Sequence, residues 1–383
     1  MGLVQELSAA ARRWKHVRAA GADPEPDRAA FRAGLESLLD ATAASDYALV
    51  ELEAARLPWT DTGIELEAGE EVTLLACGRV YLSRLLDVWV GPQFQLWARV
   101  GENGAIFNGT RTSHTFVAAQ RGRLFLAGQF PGRWADQSGR VGSDLRAYRK
   151  TSGGLSVFAI RWKGSAAEGL ALLRQRAEAD GRGDLAAELA AEAERYGDPP
   201  LPPAGWKYLW FLGDSDIYRQ ADDGITCCTE GNVGILQKDA ALALTPDTRL
   251  EWDWKVDALP SQMAENAVLA HDYLSIAVEF SDGRDITYHW SRELKTETGY
   301  WCPLEGWKDR EYHVVVRSGD DGLGNWLSQS RNLFEDYRVH IGTPPARIVR
   351  VWLIANSIFQ RRRGSCTYRA IRLTNGAAKM VVC

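Results

Sequence analysis

From Trp206 onward the chain keeps returning to short runs in which apolar and polar side chains alternate. The clearest are "LEWDWKVDAL", "YLSIAVEF", "ITYHWS", "EYHVVVRS" and "RIVRVWLIA". A period of two sends successive side chains to opposite sides of an extended backbone, so these runs are strands and cannot share one helical face. Several such strands separated by turn residues leave a sandwich, of jelly-roll type, as the expected architecture of this region.

The rest of the chain is read against that pattern. The first fifty or so residues place Ala, Leu, Arg and Glu at helical spacing, broken by "GADPEPD", and predict a helical hairpin over 1–56. Short β-branched and aromatic runs separated by Gly, Asn and Asp then predict a first β-sandwich over 57–164. The Ala, Leu and Glu-rich segment after Ser165, interrupted by "DGRGD" and followed by "PPLPPAGW", predicts two short helices and a proline-rich linker over 165–204. The second sandwich occupies 205–383. The expected fold class is mainly β: two sandwiches, a helical hairpin and a helical linker, in keeping with a length of 383 residues.

Composition removes several classes of function. A formal net charge of -5 with 25% charged residues gives no concentrated basic face, so no nucleic-acid partner is expected. The one tight basic cluster, "QRRRGS" from Gln360 to Ser365, reads as a solvated hairpin tip. The amino-terminal residues lack the apolar core of a signal peptide, and no window resembles a membrane span, so a cytoplasmic protein with no membrane partner is expected. Six cysteines without a Cys-x-x-Cys pair are expected to be reduced. Motifs for nucleotide phosphates, a nucleophile elbow and zinc proteolysis are missing, and no cofactor is expected.

Two resemblances follow from longer stretches. "TGIELEAGEEVTLLACGRV", "GPQFQLWARVGENGAIFNGT", "RGRLFLAGQFPGRWADQSGRVGSD" and "GGLSVFAIRW" together resemble the LecA-like galactose-binding lectins, over about a quarter of the chain. That resemblance implies a calcium ion held by oxygens of the last loop and bound to sugar hydroxyls. The loop here offers Gln129, Asp136 and Gln137 but has Arg133 where an oxygen donor would serve, so no metal is expected. From Trp206 to Asn375 the order of "LEWDWKVDALP", "HDYLSIAVEF", "ITYHWS", "NWLSQSRNLFEDYRVHIG" and "RIVRVWLIANS" resembles bacterial domain-of-unknown-function family 3047. Where that family commonly has paired acids, this chain has His271 and Asp272; where it has a further acidic loop, this chain reads Ala355, Asn356 and Ser357. The resemblance implies no reaction.

Strand parity then nominates a site. Tyr273, Ser275, Ala277 and Glu279 share one face, and "SDGRD" supplies a turn that brings His289 beside them. The candidate acid–base residues are His271, Asp272, His289 and Glu279. Trp254, Tyr273, Trp290, Arg331 and Asn332 are the candidate ligand contacts. An aromatic face carrying carboxylates and amides suits a glycan or another polyhydroxylated small molecule, because rings stack on C–H faces while polar groups take hydroxyls. A non-redox enzyme, whether hydrolase, lyase or cyclase, would use the same groups as acid and base. A structural interaction protein would use none of them.

Overall fold

The computed structural model describes residues 3–39, 44–54, 59–109, 111–130, 134–142, 150–376 and 378–383. Two compact units divide the chain. The N-terminal unit comprises Ala22–Pro200 and Trp210–Ser215. The C-terminal unit comprises Met1–Gly21, Leu201–Leu209 and Asp216–Cys383. The helices are α1 (Leu3–Ala20), α2 (Arg28–Leu38), α3 (Pro92–Gln95), α4 (Ala166–Ala179), α5 (Gly183–Gly197) and α6 (Leu333–His340). None of them is long and apolar enough to cross a membrane.

The strands of the N-terminal unit are β1 (Ala44–Glu53), β2 (Thr60–Leu66), β3 (Glu71–Ser83), β4 (Val88–Val90), β5 (Leu96–Val100), β6 (Ser113–Val117), β7 (Gly122–Gly128) and β8 (Ser152–Trp162). One sheet runs β1-β8-β3-β4 with β6 also on β3, and a second runs β2-β7-β5. Alternation along the strands fills the space between them: Leu74, Ala76, Val157 and Ala159 cluster with Ile64, Leu66, Leu124 and Leu126. The other parity of β3 and β8, Leu75, Phe158, Ile160 and Trp162, is covered by Leu35 and Leu38 of α2, Leu170 and Leu173 of α4 and Leu189 of α5. Ser165 starts α4 by accepting the N–H groups of Ala167 and Glu168 at 3.1 and 3.4 Å. The helices of the 165–204 segment thus do more than connect, since they are part of this unit's core.

The two helices within the first fifty residues go to different units. Gly21, at φ +84, closes α1, and Asp27 opens α2 by accepting from Ala29 and Ala30 at 2.9 Å, so the residues between uncouple the helices. In the C-terminal unit, α1 is tied down where Glu6 accepts the Val268 N–H at 3.1 Å and Arg12 meets Glu293 at 2.6 Å.

The strands of the C-terminal unit are β9 (Lys207–Tyr208), β10 (Tyr218–Ala221), β11 (Gly224–Thr229), β12 (Val233–Ala243), β13 (Arg249–Ala258), β14 (Tyr273–Phe280) and β15 (Asp285–Ser291). They continue with β16 (Gly299–Trp301), β17 (Glu311–Ser318), β18 (Leu327–Asn332), β19 (Arg347–Asn356), β20 (Gly364–Asn375) and β21 (Ala378–Val381). A seven-stranded sheet of order β16-β17-β15-β14-β19-β12-β9 faces a sheet of order β10-β11-β20-β13-β18, with β21 on β20. Leu274, Ile276, Val278 and Phe280 of β14 meet Leu250, Trp252, Trp254 and Val256 of β13 in one buried core. The charges of β13 point away: Glu251 accepts from Arg372 at 2.7 Å and Asp253 from Ser328 at 2.6 Å. Gly283, at φ +83, makes the turn joining β14 to β15, as the "SDGRD" stretch predicts.

One pairing within the seven-stranded sheet is not antiparallel. Strands β15 and β17 pair in parallel, which demands a crossover rather than a tight turn. Residues 292–310 make that crossover, with β16 as an edge strand along the way, and they lie against the outer face of the seven-stranded sheet.

Candidate functional site

Parity places Tyr273, Ser275 and Glu279 of β14, Thr287 and His289 of β15, and Glu311 and His313 of β17 on the outer face of the larger sheet. Ser275 sits directly opposite His289, and Thr287 opposite His313. This face is not open to solvent, because every residue of β14 and β15 is buried. Residues 259–272 and 301–310 form the cover. Its pins are His271 Nε2 at 3.3 Å from Cys302 Sγ, Trp307 edge-on to Trp352, and Glu265 accepting from Arg292 N–H at 2.7 Å.

Beneath the cover, five rings pack round one carboxylate. The His313 ring lies 4.8 Å from His271, 4.9 Å from Tyr273, 5.4 Å from His289 and 4.9 Å from Tyr300, the last stacked. Tyr273 donates to Glu311 at 2.8 Å, and His289 Nε2 lies 3.1 Å from the Tyr300 hydroxyl. Burial pushes His271 down to about 3 and His289 well below its ordinary value, the neighbouring imidazoles adding to it. For Glu311 burial, the largest single effect, acts upward, but His313 at 3.0 Å, His271 and the Tyr273 hydroxyl together hold the carboxyl below its ordinary value. Across the β15–β17 pair, burial and then Glu311 hold Asp285 well above the usual carboxylate range.

The predicted site residues separate into groups. His271, Tyr273 and His289 belong to this cluster. Asp272 turns away from it and accepts the N–H groups of Phe359 and Gln360 at 3.0 and 2.6 Å, while burial raises its carboxyl to about 7. Glu279 is occupied by Arg350 at 2.8 Å and Trp352 Nε1 at 3.1 Å, so it fixes the sheet face. Trp254 and Trp290 lie on the opposite parity, in the sandwich core, with ring centroids 5.8 Å apart. Arg331 pairs with Asp336 at 2.8 Å and Glu297 at 2.7 Å, and Asn332 caps α6 by accepting the Glu335 N–H at 2.9 Å. These four do not converge with the histidines.

A separate hollow of about 210 Å³ opens beside the cover. Arg12, Arg13 and His16 of α1 line it with Gln262, Met263, Gln360 and Arg362. Glu293 answers Arg12, and the Gln262 amide, oriented with its oxygen inward, faces Arg362 at 3.0 Å. The "QRRRGS" run is therefore more than a solvated tip, since Gln360 and Arg362 form one wall of a basic hollow whose other wall comes from the first helix.

Sequence reasoning missed Cys302, Glu311, His313, Tyr300 and Glu265. Only Glu311 and His313 carried a signal, two polar residues at period two in the otherwise apolar run "EYHVVVRS". In the N-terminal unit, both carboxylate oxygens of Asp136 are engaged, one by Ser138 and the other by Arg140 at 2.9 Å through Nε. Gln129 is fully buried, and Arg133 lies outside the described residues.

Known proteins add one family. Residues 204–372 match the family model described as "Protein of unknown function (DUF3047)". The DUF3047 match runs from β9 into β20 and includes the cover and the buried cluster. No curated protein matches the chain. Among solved structures the chain is similar to the EclA N-terminal domain, a PllA-like lectin, at 20% identity over 30% of this chain and 95% of that one, with a TM-score of 0.24. It is also similar to the xyloglucanase domain of NopAA, a type three effector from Sinorhizobium fredii, at 6% identity over 45% and 94% of the two chains, with a TM-score of 0.28. A tandem CBM22 domain of Xyn10C from Paenibacillus barcinonensis matches at 10% identity over 86% of each chain, with a TM-score of 0.21.

Proposed function

We propose that the C-terminal unit binds a small, glycan-like polyhydroxylated molecule bearing an anionic group, of the uronate class, in the hollow between α1 and residues 259–263 and 360–362. One observation carries this reading: three guanidinium groups, an imidazole and two amides line, with Met263, a space of about 210 Å³. Guanidinium groups bind carboxylates in two-pronged fashion, amides exchange hydrogen bonds with hydroxyls, and a thioether accepts the C–H face of a sugar. Glu293 answers part of this charge by pairing with Arg12. Asp272, which feels the charge of Arg13, is nevertheless pushed up to about 7 by burial. The buried cluster is a poorer host for such a ligand, because the 301–310 cover would have to leave first.

Calorimetric titration with glucuronate and galacturonate, each against its neutral parent sugar, tests the proposal. The acids should bind and the neutral sugars should not, with affinity falling as salt rises. Arg362 is exposed, so Arg362→Ala should leave the melting temperature unchanged while weakening binding at least tenfold, about 1.4 kcal/mol. Equal binding of acids and neutral sugars, or an unaffected Arg362→Ala, would remove the hollow as the site.

A further inference from the structure

We propose that Cys302, His271 and His313 form a buried zinc site beneath the crossover segment, with Glu311 as the carboxylate that positions His313. The three residues come from separate parts of the C-terminal unit: the end of the 259–272 segment, the crossover, and strand β17. Their potential ligand atoms all lie within 4.8 Å of one another, and all three side chains are buried. One sulfur and two imidazole nitrogens suit a borderline-soft ion such as zinc, whereas calcium and magnesium take oxygen.

Orientation supports the same reading. The His271 Nδ1 lies 2.6 Å from the Glu265 carbonyl oxygen, so this nitrogen carries the proton and Nε2 presents its lone pair. Cys302 Sγ stands 3.3 Å from that lone pair. A backbone oxygen fixing the far nitrogen of an imidazole is the usual outer support of a metal-bound histidine. Neither nitrogen of His313 makes an aligned hydrogen bond, although Nε2 lies 3.0 Å from Glu311 Oε1. A buried imidazole with both nitrogens unpaired is costly, and a cation would take one of them while Glu311 holds the other. With bonds of roughly 2.0–2.3 Å, zinc would draw the most distant donors inward.

Binding balances simply. The metal–sulfur bond forms as the thiol proton of Cys302 leaves to solvent. Each imidazole donates a nitrogen lone pair to the ion. No oxidant or reductant takes part.

The full chain, stripped with a chelator and dialysed, is titrated with zinc against a chromophoric competitor in weakly buffered solution, and separately with cobalt(II) as a spectroscopic probe. Expected are a single tight equivalent of zinc, a rise in melting temperature, and a thiolate-to-cobalt charge-transfer band. Cys302→Ser should abolish the band and weaken zinc at least tenfold, whereas Cys228→Ser, at an exposed thiol, should change neither. If Cys302→Ser does not fold, His313→Gln decides in the same assay: loss of the band supports the site and its retention overturns it. Wild-type protein that takes up no stoichiometric zinc, or shows no charge-transfer band, overturns the proposal outright. So does a band that survives in Cys302→Ser.

Discussion

At the scale of single residues, His289 shows what parity can and cannot predict. Alternation in "ITYHWS" put it on the face of Tyr273 and Glu279, and it stands opposite Ser275 as that reading requires. Its burial is not legible there, because nothing in the run itself says that a later segment will cover that face. His289 is fully buried, with Tyr273 at 6.0 Å, Tyr300 at 5.7 Å and His313 at 5.4 Å between ring centroids. Replacing it with Ala should therefore not be silent. The change removes ring packing and leaves the Tyr300 hydroxyl without its partner, a loss on the order of 2–4 kcal/mol. Urea denaturation of His289→Ala should show a lower midpoint with an unchanged slope. Uronate binding in the hollow should remain within about twofold, since the hollow does not contain this residue. Wild-type stability in the variant would mean that the cover is loose and the face wet.

Elements made of one continuous pattern were legible, and elements defined by what crosses over them were not. Strands β13, β14, β15, β17 and β19 each announce themselves by period two, and their apolar parity alone specifies the sandwich core. The crossover "RELKTETGYWCPLEGWKDR" has no such period, yet it makes β15 and β17 parallel and carries Tyr300 and Cys302 onto the sheet. Strand β6 of the N-terminal unit offers a test of how an element's packing sets a titration. There His114 stacks on Phe116 and packs against Phe107, and burial lowers it to about 4, with Glu192 opposing and Arg111 and Arg195 assisting. Its folded value lies below the unfolded value of about 6.5, so its contribution is present above about 6.5 and is lost as pH falls through about 4. Thermal melts between pH 7 and 4 should show His114→Gln less stable than wild type at pH 7, with the gap closing toward pH 4. A constant gap would show that His114 titrates alike in both states.

For the whole molecule, the order of segments in sequence and their membership in units diverge. A reading along the chain sees two sandwiches joined at 165–204, because composition changes there. It cannot see that Trp210–Ser215 returns to the N-terminal unit, where Trp210 packs with the cluster of Trp97, Ala127 and Trp134, or that Met1–Gly21 belongs to the C-terminal unit. Both assignments depend on side chains far apart in sequence finding a common surface, as do the basic hollow and the histidine cluster. The consequence appears on cutting. After α5 the backbone runs through exposed residues including Leu201, Ala204 and Gly205, without regular structure, so limited proteolysis should nick the chain between about 198 and 205. The nick should not free two independent domains. The larger fragment ending near residue 200 carries α1, which is held to the C-terminal unit by the Arg12–Glu293 pair and by the Glu6–Val268 bond. The other carries Trp210–Ser215, held in the N-terminal unit. The fragments should therefore co-elute on gel filtration and part only in denaturant. Deleting residues 1–21 should weaken that association and should also abolish uronate binding, because Arg12, Arg13 and His16 leave together. Fragments of the full chain that separate in native buffer would show that neither exchanged segment holds its unit.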